Sequence, residues 1–118
     1  MDTQAIARDF VALCKQGKFA EAGEKYWAED VVSIEPMGEM RELRGKAAVR
    51  GKGEWWYANH EVHSAEAYGP YLHGDQFAVH FKLDVTPKGG QRMQMQEIAL
   101  YTLKDGKIAE ERFLYGVL

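Results

Sequence analysis

The chain has 118 residues, 46% hydrophobic and 28% charged, with a formal net charge of −3, a balance that fits one globular domain with a buried core and excludes a disordered chain. The mild acidity argues against nucleic-acid binding, and the basic run Arg41, Arg44, Arg50 and Lys52 is interleaved with acids and reads as a solvated face. A single cysteine, Cys14, leaves no internal disulfide; with neither a basic-then-apolar leader nor a membrane-length apolar run, a cytoplasmic location without membrane contact is expected.

The first element is a helix capped by Asp2 or Thr3, with Ile6, Phe10, Leu13 and Cys14 at helical spacing and Gly17 as its stop. In that setting Cys14 is a small apolar residue. A second helix, "FAEAGEKYW", ends in the bulk of Tyr26 and Trp27. "VVSIEP", residues 31–36, is a short strand that Pro36 terminates, and Glu35 sits where the strand should still be packing. The polar stretch "MGEMRELRG" reads as a loop. "GKAAVRGKGEWWYANH" reads as a third helix, in which Gly51 and Gly53 each cost about 1 kcal/mol against alanine and hint at space beside it. Trp56 continues the Val49 stripe, so Trp55 faces away. Such aromatics usually serve core or dimer contacts.

From Val62 the period changes to that of strands. "VHSAEAYGPYL" turns at "HGD" into "QFAVHFKLDVT", where Phe77, Val79, Phe81, Leu83 and Val85 alternate with polar positions. "PKGG" leads to "QRMQMQEIALYTL", and "KDG" leads to "KIAEERFLYGVL". Helices first and a meander of long strands after them give the α+β class, with three N-terminal helices packed on a curved antiparallel sheet.

On the penultimate strand Met95, Glu97, Ala99 and Tyr101 share one face. On the last, Ala109, Glu111, Phe113 and Tyr115 share a face opposite Ile108, Glu110, Arg112 and Leu114. A three-residue loop at Lys104–Gly106 would pair Leu103 with Lys107 and set Ala99 opposite Glu111. A two-residue Asp–Gly loop would bring Glu110 and Arg112 to the Glu97 face instead.

The stretches "FVALCKQGKFAEAGEKYWAEDVVSIEP", "RGKAAVR" and "LYTLKDGKIAEERFLYG", in this order and spacing, resemble the nuclear transport factor 2-like fold. This is the cystatin-like, cone-shaped α+β barrel of ketosteroid isomerases and SnoaL-like polyketide cyclases, and the resemblance spans nearly the whole chain as one domain. It implies that Glu35, before Pro36, holds the position of the isomerases' catalytic base. It also places Phe10 and Ala99 where those enzymes keep their two oxyanion donors. Neither can donate, and a single such donor is worth about 3 kcal/mol, so the family's steroid mechanism is not implied. The alignment favours the three-residue loop, and with it a pocket wall of Met95, Glu97, Tyr101, Glu111, Phe113 and Tyr115.

If Glu35, Glu97 and Glu111 share an apolar cavity, burial and mutual repulsion raise their pKa values and leave one a proton donor near neutral pH. The expected site therefore has these three acids as catalytic groups, and Phe10, Trp56, Leu83, Met95, Tyr101, Phe113 and Tyr115 around a small, largely apolar substrate. A non-catalytic ligand-binding domain and a dimerisation module are the alternatives. A homodimer is expected through the outer sheet face, with Ile98, Leu100, Thr102, Ile108 and Leu114. His60, His63, His73 and His80 match no metal spacing, and there is no phosphate-binding loop, so neither metal nor cofactor is expected.

Overall fold

A computed structural model describes residues 2–116. The elements are helices α1 (Thr3–Lys15), α2 (Phe19–Tyr26) and α3 (Lys46–Asn59), and strands β1 (Trp27–Ile34), β2 (Glu42–Arg44), β3 (His60–His73), β4 (Gln76–Pro87), β5 (Met93–Lys104) and β6 (Lys107–Leu114).

Helix α1 starts where Asp2 accepts a 2.8 Å hydrogen bond from the Ala5 amide. It stops where Gly17 takes a φ of +78°. There the Gly17 amide donates to the Cys14 carbonyl and the Lys18 amide to that of Leu13, each at 2.9 Å, a pairing that satisfies the last turn. The buried stripe Ile6, Ala7, Phe10, Val11 and Cys14 lies against the sheet. Helix α2 is bound to α1 by Tyr26 and Lys25, which both donate to Asp9. Trp27, expected to close that helix, instead opens β1.

The six strands form one sheet in the order β2-β1-β6-β5-β4-β3. The sheet is open, with β2 and β3 at its edges, and it is mixed: β1 runs parallel to β6, against an expectation of purely antiparallel pairing. β2 lies inside the stretch read as a loop, because three residues are too few to display an alternation.

The β5–β6 turn departs from both expected geometries. Lys104 pairs with Lys107 across a two-residue Asp105–Gly106 turn, and Leu103 pairs with Ile108. The register then shifts, so that Thr102 pairs with Glu110, Tyr101 with Glu111 and Ala99 with Phe113. Ala109 is the extra residue, a β-bulge that restores the parity the short turn would have lost. Ile108 is consequently in the core, fully buried, and not on the outer face where simple alternation put it. The partner of Glu111 is Tyr101, not Ala99.

Candidate functional site

Between the helices and the inner face of the sheet lies a cavity of about 630 Å³, within the usual size for small-molecule sites. Six elements each contribute an aromatic side chain to its walls: Phe10, Phe19, Trp56, Phe81, Tyr101 and Phe113.

The acids enter by three routes. Val31, Ser33 and Glu35 follow one another at the two-residue period of β1, so the turning of Val31 into the core carries Ser33 inward as well. Glu35 continues that alternation one residue beyond the strand, and its amide donates to the Arg41 carbonyl at 2.7 Å. Glu97 projects from β5, opposite Phe81 of β4. Glu111 is brought inward by the bulge and sits beside Ser33 in the parallel β1–β6 ladder.

A continuous hydrogen-bonded chain joins two of these acids. The Trp27 indole donates to Glu111 Oε1 at 2.8 Å, and the Ser33 hydroxyl donates to Glu111 Oε2 at 2.7 Å. Lys52 donates to Ser33 Oγ and, at 3.0 Å, to Glu35 Oε2. The Tyr115 hydroxyl donates to Glu35 Oε1 at 2.8 Å. Lys52 also lies 4.9 Å from the centre of the Phe113 ring. The Lys52 and Glu35 side chains are only 14% and 18% exposed, so this ion pair is largely withdrawn from solvent.

Lys52 is thus not part of a solvated basic face. Arg41, Arg44 and Arg50 are exposed, and Arg50 pairs with Glu24 of α2, fastening α3 across the cavity mouth. Lys52 is three residues after Val49 and four before Trp56, on the inward stripe of α3; that spacing was the signal in the sequence. Trp27 and Ser33 were missed too. Ser33 was readable from its place between two inward positions, whereas Trp27 depended on where α2 gives way to β1.

The environments of the three acids differ. Glu111 is 4% exposed, and burial pushes its pKa up, while the bonds from Ser33 and Trp27 and the charge of Lys52 oppose that rise. Glu97 has no hydrogen-bond partner among the described residues. Burial, followed by the negative charge of Glu35, raises it to about 7, with Lys52 pulling the other way and Glu111 adding to the rise. Burial also holds the Cys14 thiol up at about 12, so it is inert as a nucleophile.

Of the other expected site residues, Phe10, Trp56, Leu83, Tyr101 and Phe113 line the cavity. Met95 does not, and Tyr115 reaches it only through Glu35. Phe10 packs on Tyr101 at 4.7 Å between ring centres, and Ala99 is fully buried opposite Phe113. The histidines point elsewhere: His60 stacks on Trp56, His63 meets Thr86 and His80 meets Gln96. Among the described residues no cluster of three or more His, Cys, Asp or Glu side chains is arranged to hold a metal, and no helix is long and apolar enough to cross a membrane.

Residues 1–115 match the family described as the SnoaL-like domain. The chain belongs to that family. A crystal structure from Mesorhizobium loti, described as a SnoaL-like polyketide cyclase, is 55% identical, with a TM-score of 0.96 over 98% of this chain and 100% of that one. More distant structures share the fold: one from Bacillus subtilis, described as an isomerase, at 21% identity and TM-score 0.75, covering 96% of this chain and 88% of that one. Another is TerC, co-crystallised with polyporic acid, at 15% identity and TM-score 0.74, covering 97% of this chain and 91% of that one. A structure from Xanthomonas campestris with 21% identity and TM-score 0.76, covering 97% of this chain and 90% of that one, is described as having a cystatin-like fold. Among curated proteins, none matches this sequence. The SnoaL-like fold is thus shared with a protein described as a polyketide cyclase.

Proposed function

We propose that this SnoaL-like protein is an acid–base enzyme that moves a proton on a small, largely apolar, ring-bearing molecule, with Glu97 as the proton carrier. The observation that carries this reading is the free carboxyl of Glu97 facing an aromatic cavity in which the other two acids are already engaged. Both oxygens of Glu35 and both of Glu111 accept hydrogen bonds from the protein, so neither is as available to a substrate. A carboxyl with a pKa of about 7 exchanges protons in both directions near neutral pH, as general acid–base catalysis requires. The Glu35–Lys52 pair supplies a fixed field at one end of the cavity, and Glu111 anchors that pair through Ser33.

The test is α-hydrogen exchange of 1-tetralone in deuterated buffer, followed by NMR. The protein is expected to accelerate exchange over buffer, and Glu97→Gln to lower the rate by about 100-fold or more while retaining the fold. Exchange at the buffer rate, or an unaffected Glu97→Gln variant, would contradict the proposal. The saturation of Glu35 and Glu111 favours a second reading, a binding domain without catalysis. In that case Glu97→Gln would weaken retention of the ketone and no exchange would occur.

A homodimer is part of the same proposal. It is supported by Ile98 and Leu114, 39% and 49% exposed on the outer sheet face, where they pair directly across β5 and β6.

A further inference from the structure

One group of polar side chains at the cavity is fully engaged. Glu35, Lys52, Ser33, Glu111, Trp27 and Tyr115 satisfy one another. Outside that chain of bonds stands Tyr101, the most deeply packed of the cavity tyrosines and only 3% exposed. Its ring is fixed from two sides, with Phe10 at 4.7 Å and Phe77 stacked at 4.9 Å between centres. Its hydroxyl has no hydrogen-bond partner among the described residues. Tyr101 lines the cavity, and among the described residues no fully buried side-chain oxygen or nitrogen lacks a partner, so that hydroxyl is not sealed off from the cavity.

A hydroxyl in an apolar pocket requires a partner from whatever enters, because leaving it unbonded costs about 1–3 kcal/mol. We infer that Tyr101 donates a hydrogen bond to an acceptor oxygen of the substrate, and that the substrate is a ring-bearing carbonyl compound whose oxygen rests against the Phe10–Tyr101–Phe77 stack. The inference rests on the cavity being the substrate site, as proposed above.

Three observations select an acceptor oxygen. Burial and the surrounding negative charges, Glu111 first, oppose ionisation of Tyr101 and keep its proton in place. A phenol donates a hydrogen bond better than it accepts one. The donors of Trp27, Ser33 and Tyr115 are committed to carboxylates and Lys52 bonds Ser33 and Glu35, whereas the Tyr101 hydroxyl is free to hold an oxygen. Tyr101 and Glu97 are four residues apart on the same face of β5, roughly 13 Å along the backbone. A molecule of two or three fused rings spans that interval once the side chains lean in. Phe10 and Ala99 removed two donor positions, and Tyr101 supplies a different one from the neighbouring rung of the sheet.

The experiment compares 2-acetylnaphthalene with 2-ethylnaphthalene, a ketone and a hydrocarbon of nearly the same shape, by calorimetric titration into the wild-type protein and Tyr101→Phe. The substitution removes one oxygen and leaves the ring stack intact. The ketone is expected to bind the wild type more tightly than the hydrocarbon. Tyr101→Phe is expected to weaken the ketone about 5-fold, the worth of one neutral hydrogen bond, and to leave the hydrocarbon unchanged. The infrared carbonyl band of the bound ketone is expected at lower frequency in the wild type than in the variant. No preference for the ketone, equal losses for both compounds, an unmoved carbonyl band or no binding of either compound would overturn the inference. Absent 1-tetralone exchange with the Tyr101→Phe effect intact would overturn the catalytic reading and leave the donor standing.

Discussion

Replacing Glu97 by glutamine should change not only turnover but also the way stability depends on pH. Glu97 has a folded-state pKa of about 7, against an ordinary value of 4.5. A carboxyl with a raised folded pKa binds its proton more tightly in the folded state. Its contribution to stability is therefore complete below about pH 4.5 and is lost as pH rises through about 7. At about 1.4 kcal/mol per unit, a rise of roughly 2.5 units amounts to about 3.4 kcal/mol, of which about 2.5 kcal/mol falls between pH 5 and pH 8.5. For a domain of this length an unfolding entropy of about 2 cal/mol/K per residue turns that into roughly 10 °C of melting temperature. Glutamine has nearly the same shape and does not ionise, so the variant escapes the loss. Glu111 also has a raised pKa, but it is present in both proteins and cancels in the difference. Calorimetric melting at pH 5, 6, 7, 8 and 8.5 should show the variant gaining on the wild type by about 10 °C across the range, most of it below pH 7. Parallel curves would refute the burial argument, and with it the case for Glu97 as a proton carrier.

Other outcomes follow from the geometry. At Gly23 a Cβ would overlap the Trp27 indole. Gly23→Ala should push the indole off Glu111, costing about 1.5–3 kcal/mol for a bond to a charged group against a helix gain of about 1 kcal/mol; denaturant unfolding and the indole N–H resonance would report a net loss and a moved signal. Lys52→Met keeps an apolar stem beside Phe113 but removes the cation that holds Glu97 down. Carbon-detected NMR should then show the Glu97 carboxyl titrating above its wild-type midpoint, and a fall or no movement would contradict the site electrostatics. If the outer sheet face pairs two copies, sedimentation should give a dimer at micromolar concentration, converted to monomer by Ile98→Lys with Leu114→Lys; a wild-type monomer would contradict the proposed dimer.

Much of the fold was legible because its long elements have clear periods. The stripe of α1 and the alternation of β4 each identify a buried face without knowledge of any partner. β2 was not legible, since three residues show no period. The parallel partnership of β1 and β6 was also hidden, because it joins segments nearly eighty residues apart. In the candidate site, the inward turn of Glu35 could be anticipated from the acid before Pro36, and that of Glu97 from its face on β5. Lys52 was obscured by its charged neighbours: Arg50 and Lys52 look alike in a basic run, yet one pairs with Glu24 at the rim and the other with Glu35 inside. The inward face of Glu111 was expected for a reason that the structure replaces. A longer turn was invoked, whereas a short turn followed by a bulge gives the same facing with a different cross-strand partner.

That bulge makes the chemistry of the cavity sensitive to strand pairing at one point. Losing the bulge, with Ala109 taken into the ladder opposite Thr102, would leave the core helices and the other five strands able to form. It would nevertheless exchange one side of β6 for the other beyond the turn, sending Glu111 and Phe113 out to solvent and bringing Glu110 and Arg112 in. An aromatic wall with one buried carboxyl would become a wall carrying a guanidinium. Within this architecture the presence of one bulge in the last hairpin therefore does what several point substitutions cannot: it sets the electrostatic character of the pocket in one step, with the scaffold retained.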